Sequence, residues 1–202
     1  MVRHVMSALL DDGLDMTALH NHFFLENPRI YYMHIHGHGK AADLAEPIKP
    51  ALALIGKGQP PPAATGSPPK ATLDTAQITK IVGHDDEQNG AVYKITIGLD
   101  DVKLKEMGAL INSRMGLNTW AAFYGSDQDT AIAGDVVMLE SEVTPTLKAL
   151  RSHGLDIVAI HHHMIGTQPV IVFSTTWGRG TAPQLAHGFK AGLDQLGKGG
   201  KQ

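Results

Sequence analysis

Ala18-Leu-His-Asn-His22 with Tyr32-Met-His-Ile-His-Gly-His38, and later Ala159-Ile-His-His-His163 with Phe173-Ser-Thr-Thr-Trp-Gly-Arg179, decide how this chain folds. Eight of the twelve histidines lie in these stretches. Successive side chains of a strand alternate between its faces. His20 and His22 therefore share a face, as do His34, His36 and His38. A turn near Glu26-Asn27-Pro28 pairs the two runs antiparallel, with His20 roughly opposite His34 and five imidazoles on one face of a ribbon. Neutral imidazole is the commonest protein ligand for transition metals. The pattern points to a site before it points to a reaction.

Working outward, the two regions are copies. A shift of 141 residues aligns 2–56 with 143–197 without a gap, and 19 of the 55 pairs are identical. A match of that length reads as an internal duplication. Each unit begins with a helix, 2–12 or 142–153, in which Val143, Leu147 and Leu150 keep helical spacing. Gly13 and Gly154 supply the stop. A strand follows (15–22; 156–163), then a proline-bearing turn, then a second strand (29–36; 170–177). A Gly-x-Gly leads into the last helix, 41–55 or 182–196, and Pro47 and Pro50 predict irregularity in the first of these.

The expected organisation is a first unit at 1–56, a Pro/Gly-rich linker at 57–71, a second, complete unit at 72–197 and a disordered tail at 198–202. The second unit has its own lead-in: a capped helix over 73–83, a polar turn at 84–90, and strands at 91–98, 117–124 and 130–139. With the strand before its helix, the unit reads β-α-β-β-α, most of a ferredoxin-like unit. The fold class is therefore α+β: duplicated ferredoxin-like units, antiparallel sheet with helices on one face, related by a pseudo-two-fold axis. The first unit has no matching lead-in. That predicts either an N-terminally shortened protein or a homo-oligomer in which a second subunit completes the first unit.

Composition narrows the function classes. A hydrophobic fraction of 43% and a charged fraction of 18% suit a globular protein. A net charge of -3 without a basic block leaves nucleic-acid binding no electrostatic footprint. No apolar run is long enough for a transmembrane helix, and the first residues do not read as a signal peptide. Cysteine is absent, so a metal site must use nitrogen and oxygen ligands.

The candidate metal ligands are His20, His22, His34, His36, His161 and His163, for zinc or another first-row divalent ion. The second copy keeps His161 and His163 but replaces His34, His36 and His38 with Thr175, Trp177 and Arg179. A diverged duplicate suggests a ligand pocket, with Trp177 and Arg179 holding an anionic or ring-bearing group. The alternative places Trp177 in the core and Arg179 on a carboxylate. His38, between two glycines, is a candidate mobile acid, base or ligand-binding group, and Glu26 is a carboxylate in the turn beside the cluster. His162 points away from its neighbours and reads as structural. Asp135 and Glu140 lie on the strand before the second helix, and helix-start geometry accounts for Glu140 and Glu142. Whether the two histidine sets form one site or two depends on how the units pack. No Ser-His-Asp arrangement, Walker loop or dinucleotide fingerprint is present.

Thr17-Ala-Leu-His-Asn-His22, Met33-His-Ile-His-Gly-His-Gly39, Gly116-Leu-Asn-Thr-Trp-Ala-Ala-Phe123, Gly134-Asp-Val-Val-Met-Leu-Glu140 and Val158-Ala-Ile-His-His-His-Met164 resemble the LppY/LpqO family. The resemblance covers nearly the whole chain. It implies a bacterial protein, exported or envelope-associated, with no established reaction. Family members usually carry two complete units, from which this chain departs. Three functional readings follow. One is a metal-binding protein. Another is a metal-dependent hydrolase in which an open coordination position activates water. The third is a metal-free module for a small-molecule or envelope-derived ligand, such as a glycan or peptide.

Overall fold

The computed structural model of the protein describes residues 1–56, 72–84 and 86–197. The expected linker at 57–71 and tail at 198–202 lie outside the described residues. The first half runs α1 (Val2–Asp11), β1 (Asp15–His20), β2 (Tyr32–His36), α2 (Ala41–Leu52). After it come α3 (Thr75–Val82), β3 (Asp86–Asn89), β4 (Val92–Gly98), β5 (Leu104–Glu106), β6 (Ala109–Ile111), β7 (Asn118–Ser126) and β8 (Asp129–Leu139). The chain closes with α4 (Val143–Ser152), β9 (Asp156–His161), β10 (Ile171–Gly180) and α5 (Ala182–Leu193). The fold is mixed α+β with antiparallel sheets.

The main sheet has six strands in the order β3-β4-β7-β8-β10-β9, each antiparallel to its neighbours. Alternation along the strands divides it into two faces. Phe123, Ile132, Val136 and Met138 point to one, where Ile78 and Val82 of α3, Leu150 of α4 and Leu185 and Phe189 of α5 close the largest core. Val137, Ile171 and Phe173 point to the other and pack with Leu104, Leu117 and Met164. Trp120, Asp135 and Thr175 lie side by side on that second face, paired across β7, β8 and β10. β1 and β2 form a separate two-stranded sheet, and Val5, Leu9, Leu14 and Ala51 make a small core between it and the helices α1 and α2.

Shifted by 141 residues, the bounds of α1 fall on those of α4, β1 on β9 and α2 on α5. The ladders agree as well. Asp15↔His36 and His20↔Tyr32 in the first half correspond to Asp156↔Trp177 and His161↔Phe173 in the second. Gly37 and Gly178 face the same requirement. A Cβ on Gly37 would lie 2.8 Å from both Leu14 and Leu44, and one on Gly178 would lie 2.8 Å from Leu155 and 3.0 Å from Leu185. Glycine there lets the helix seat on its hairpin.

Several details depart from the sequence reading. His20 pairs with Tyr32, and His34 with Ala18. The offset is two residues, so His20 and His34 stay on one face while sitting diagonally. The polar stretch 84–90 contains β3, which pairs with β4 at the sheet edge. α2 runs through Pro47 and Pro50. The β5–β6 hairpin was not anticipated. Met107 and Gly108 both have positive φ, 46° and 87°, as a two-residue hairpin turn requires, yet Met-Gly is a weak turn signal.

The spacing of β7 and β8 carries Asp135 into position, and Gly134 sets it. A Cβ there would lie 2.6 Å from the Trp120 carbonyl oxygen, which is backbone and cannot swing aside. Gly134→Ala is expected to destabilise the protein by about 1–3 kcal/mol, seen as a lowered midpoint in urea unfolding. An unchanged midpoint would show that the strands separate freely.

Candidate functional site

The first-half hairpin lies against β9, and the Thr17 hydroxyl donates to the His163 carbonyl oxygen at 2.9 Å. This docking brings histidines from both halves into one cluster. His20 stacks on His161 with ring centroids 3.9 Å apart, and His34 on His163 at 4.1 Å. The Nε2 atoms of His20 and His34 converge to 2.9 Å. His22 lies 5.1 Å from His20 and packs on Tyr32 at 4.0 Å and Trp120 at 6.1 Å. The sets His20–His34–His161 and Asp135–His161–His163 each gather donor atoms closely enough to hold a metal ion.

The donors are set up for ligation. Nδ1 of His20 lies 3.2 Å from the Asn21 carbonyl oxygen. A carbonyl only accepts, so Nδ1 carries the proton and Nε2 presents its lone pair. His161 is 7% exposed and Asp135 3%, and Nε2 of His161 lies 3.8 Å from Oδ2 of Asp135. That is too long for a hydrogen bond. The Thr175 hydroxyl donates to the other oxygen, Oδ1, at 2.8 Å. Both ring nitrogens of His161 and Nε2 of His163 are buried without a hydrogen-bond partner among the described residues. Leaving a buried polar atom unpaired costs about 1–3 kcal/mol; a neutral imidazole keeps one N–H and one lone pair, so His161 and His163 each offer one lone pair to an electron-pair acceptor. A divalent ion fits that donor set.

Electrostatics keep the rings neutral. Burial, then the neighbouring imidazoles, hold His161 down to about 2, His163 to about 3 and His22 to about 4. His34 falls to about 4 for the same reasons, and burial lowers His20. Burial raises Asp135 to about 6 against the opposing Thr175 hydrogen bond.

The other candidates sit elsewhere. His36 turns to Glu106, with Nδ1 3.0 Å from Oε1. The pair lies in a cleft of about 310 Å³ that also reaches His34, His163, Met115 and Met164. His38 is exposed. Arg179 makes a bidentate pair with Asp129 at 2.7 Å and 2.7 Å, on the surface. Trp177 packs edge-on against Phe23 at 5.0 Å and lines a groove with Glu26 and Asp156. Oε1 of Glu26 accepts from Asn21 Nδ2 and the Ile30 amide, which ties the loop. The exposed His162 bonds the Ile171 carbonyl. Glu142 accepts from the amides of Leu139 and Gly197, a structural duty. Sequence reading missed Glu106, because nothing in a three-residue strand predicts which side chain reaches His36. Trp120 and Tyr32 were also missed as walls of the cluster.

One family model matches the chain, at residues 1–54 and 76–195. The chain belongs to the family described as Domain of Unknown Function (DUF1259). The DUF1259 match spans both histidine hairpins, α3–α5 and the main sheet. No curated protein and no solved structure matches the chain.

The lowered imidazoles have a consequence for stability in chelator. Their folded pKa values lie below the unfolded value of about 6.5. The unfolded chain therefore takes up more protons as pH falls from 7 through 4, and their contribution to stability declines over that window. Asp135 runs the other way, since its raised value favours the folded state as pH drops, but one carboxyl opposes five imidazoles. Urea midpoints measured in chelator are expected to fall steadily from pH 7 to 5. A flat profile would contradict neutral, buried rings.

Proposed function

We propose that this protein binds a divalent first-row metal ion, zinc foremost, in a centre assembled from both halves. His20, His34 and His161 form the nucleus, with His22, His163 and Asp135 as the remaining donors. The observation that carries this reading is the set of buried, unpartnered nitrogens on His161 and His163 beside the converging Nε2 atoms of His20 and His34. Imidazole and carboxylate donors without thiolate suit zinc and its neighbours in the series. Thr175 fixes Asp135 through Oδ1 and leaves Oδ2 directed at His161, as an outer partner does for a ligand.

A second reading, a metal-dependent hydrolase, rests on the cleft. It opens beside His34 and His163, and Glu106 orients the His36 ring on its wall. A bound ion supplies Lewis acidity there, while the cleft binds the substrate and the His36–Glu106 pair holds a hydrogen-bonding group toward it. Trp177, Arg179, His38 and Glu26 take no part in this centre.

The wider setting follows from sequence likeness. The hairpin motifs support kinship with the bacterial LppY/LpqO proteins and an envelope role. The coinciding bounds and ladders support descent from one duplicated unit, with domains at 1–56 and 72–197 related by a pseudo-two-fold axis. The strand order β8-β10-β9 with α4 between β8 and β9 supports a ferredoxin-like unit in the second half.

Zinc titration by calorimetry tests the centre. His161→Ala is expected to weaken binding by at least about 100-fold, and Asp135→Asn by about 10–100-fold. His38→Ala and Arg179→Ala should leave affinity unchanged. Equal affinity in all four variants would refute the assignment.

A further inference from the structure

Each His-x-His sequence ends a strand. β1 stops at His20 and β9 at His161, where the last ladder pairs are His20↔Tyr32 and His161↔Phe173. His22 and His163 therefore lie two residues past their ladders, and no strand pairing among the described residues fixes them. A donor on a free strand end has to be ordered when the ion arrives, and that ordering lowers affinity.

The middle residue of each sequence holds the strand end instead. Asn21 Nδ2 donates to the Ile30 carbonyl oxygen at 2.7 Å. His162 Nδ1 donates to the Ile171 carbonyl oxygen at 2.9 Å. Positions 21 and 162 are related by the 141-residue shift, and so are 30 and 171. Both halves thus make one bond, between corresponding positions, with unlike side chains. An amide and an imidazole have in common an N–H donor at similar reach, so what the two positions share is the bond itself. It ties the chain between two donor rings to the entry of the returning strand. Extended chain turns the middle side chain to the face opposite its neighbours, so the brace sits behind the rings and leaves their donor atoms free. The adjoining peptides are held as well. The Asn21 carbonyl accepts from His20 Nδ1, and the His163 carbonyl accepts from the Thr17 hydroxyl. Asn21 Nδ2 also donates to Glu26 Oε1 at 3.2 Å.

We propose that Asn21 and His162 are positioning residues for the metal centre, an inference that rests on the metal-binding reading above. Each acts through the two rings that flank it: Asn21 on His20 and His22, His162 on His161 and His163. His162 is then a brace and not a ligand, although it is an imidazole between two donor histidines. Asparagine can take its place, because asparagine makes the same bond at position 21; alanine cannot.

Zinc titration by calorimetry tests this, with circular dichroism and urea midpoints in chelator as the check on folding. Asn21→Ala and His162→Ala are each expected to weaken zinc binding by about 10–100-fold, as loss of an outer partner does. His162→Asn is expected to keep the unaltered affinity, since it restores the bond without the imidazole. His153→Ala removes another exposed imidazole, one that bonds the Ala149 carbonyl, and should change nothing. Alanine variants that lower only the urea midpoint, with zinc affinity intact, would overturn the proposal and leave the centre standing. So would His162→Asn binding as weakly as His162→Ala. Unaltered protein that takes up no zinc would refute the centre and its braces together.

Discussion

Packing five neutral imidazoles, two of them buried and three half-buried, between two hairpins is the constraint on which the rest of this structure depends. Apolar walls remove water from the rings, and each ring raises the cost of charging the next. Phe173 lies 3.5 Å from His163, and Trp120 and Tyr32 flank His22. Such an environment keeps the rings neutral and leaves both nitrogens of His161 and Nε2 of His163 without hydrogen-bond partners among the described residues. A polar sheet face that only satisfied itself would show every nitrogen paired, as those of His20 are. Here the ring nitrogens of His161 are left without partners, beside a carboxylate 3.8 Å away.

The two halves serve this site unequally. The second half is a six-stranded platform with three helices behind it, and it holds Asp135 and Thr175 on its inner strands β8 and β10 and His161 at the end of the edge strand β9. The first half is a light hairpin that brings His20, His22 and His34 down onto that platform. Thr175 occupies the position equivalent to His34. In one half that position supplies a ring; in the other it supplies the hydroxyl that orients Asp135. Positions 34 and 175, related by the 141-residue shift, thus carry a candidate donor in one half and the support of a candidate donor in the other.

Much of this was legible in the residues, for reasons of periodicity. Side-chain alternation placed His20 and His34 on one face even though the register was two residues off, because a two-residue slip preserves the face. Glycine stops and apolar spacing located α1 and α4. What the chain could not display locally is tertiary. Thr17 meeting the His163 carbonyl merges the two histidine sets, and no local pattern encodes that contact. Arg179 is a cation within reach of any pocket on paper; only the β8 register reveals Asp129 as its partner. Glu106 comes from a hairpin turned by Met107-Gly108, whose strands are too short for periodicity to register.

Elemental analysis by mass spectrometry, on protein purified without an affinity tag or chelator, tests the central claim most directly. The account predicts close to one equivalent of a single first-row metal, lost in a His20→Ala, His34→Ala double variant that keeps its circular dichroism spectrum. Protein that carries no metal, and takes up none from zinc, copper, nickel, iron or manganese, would contradict it.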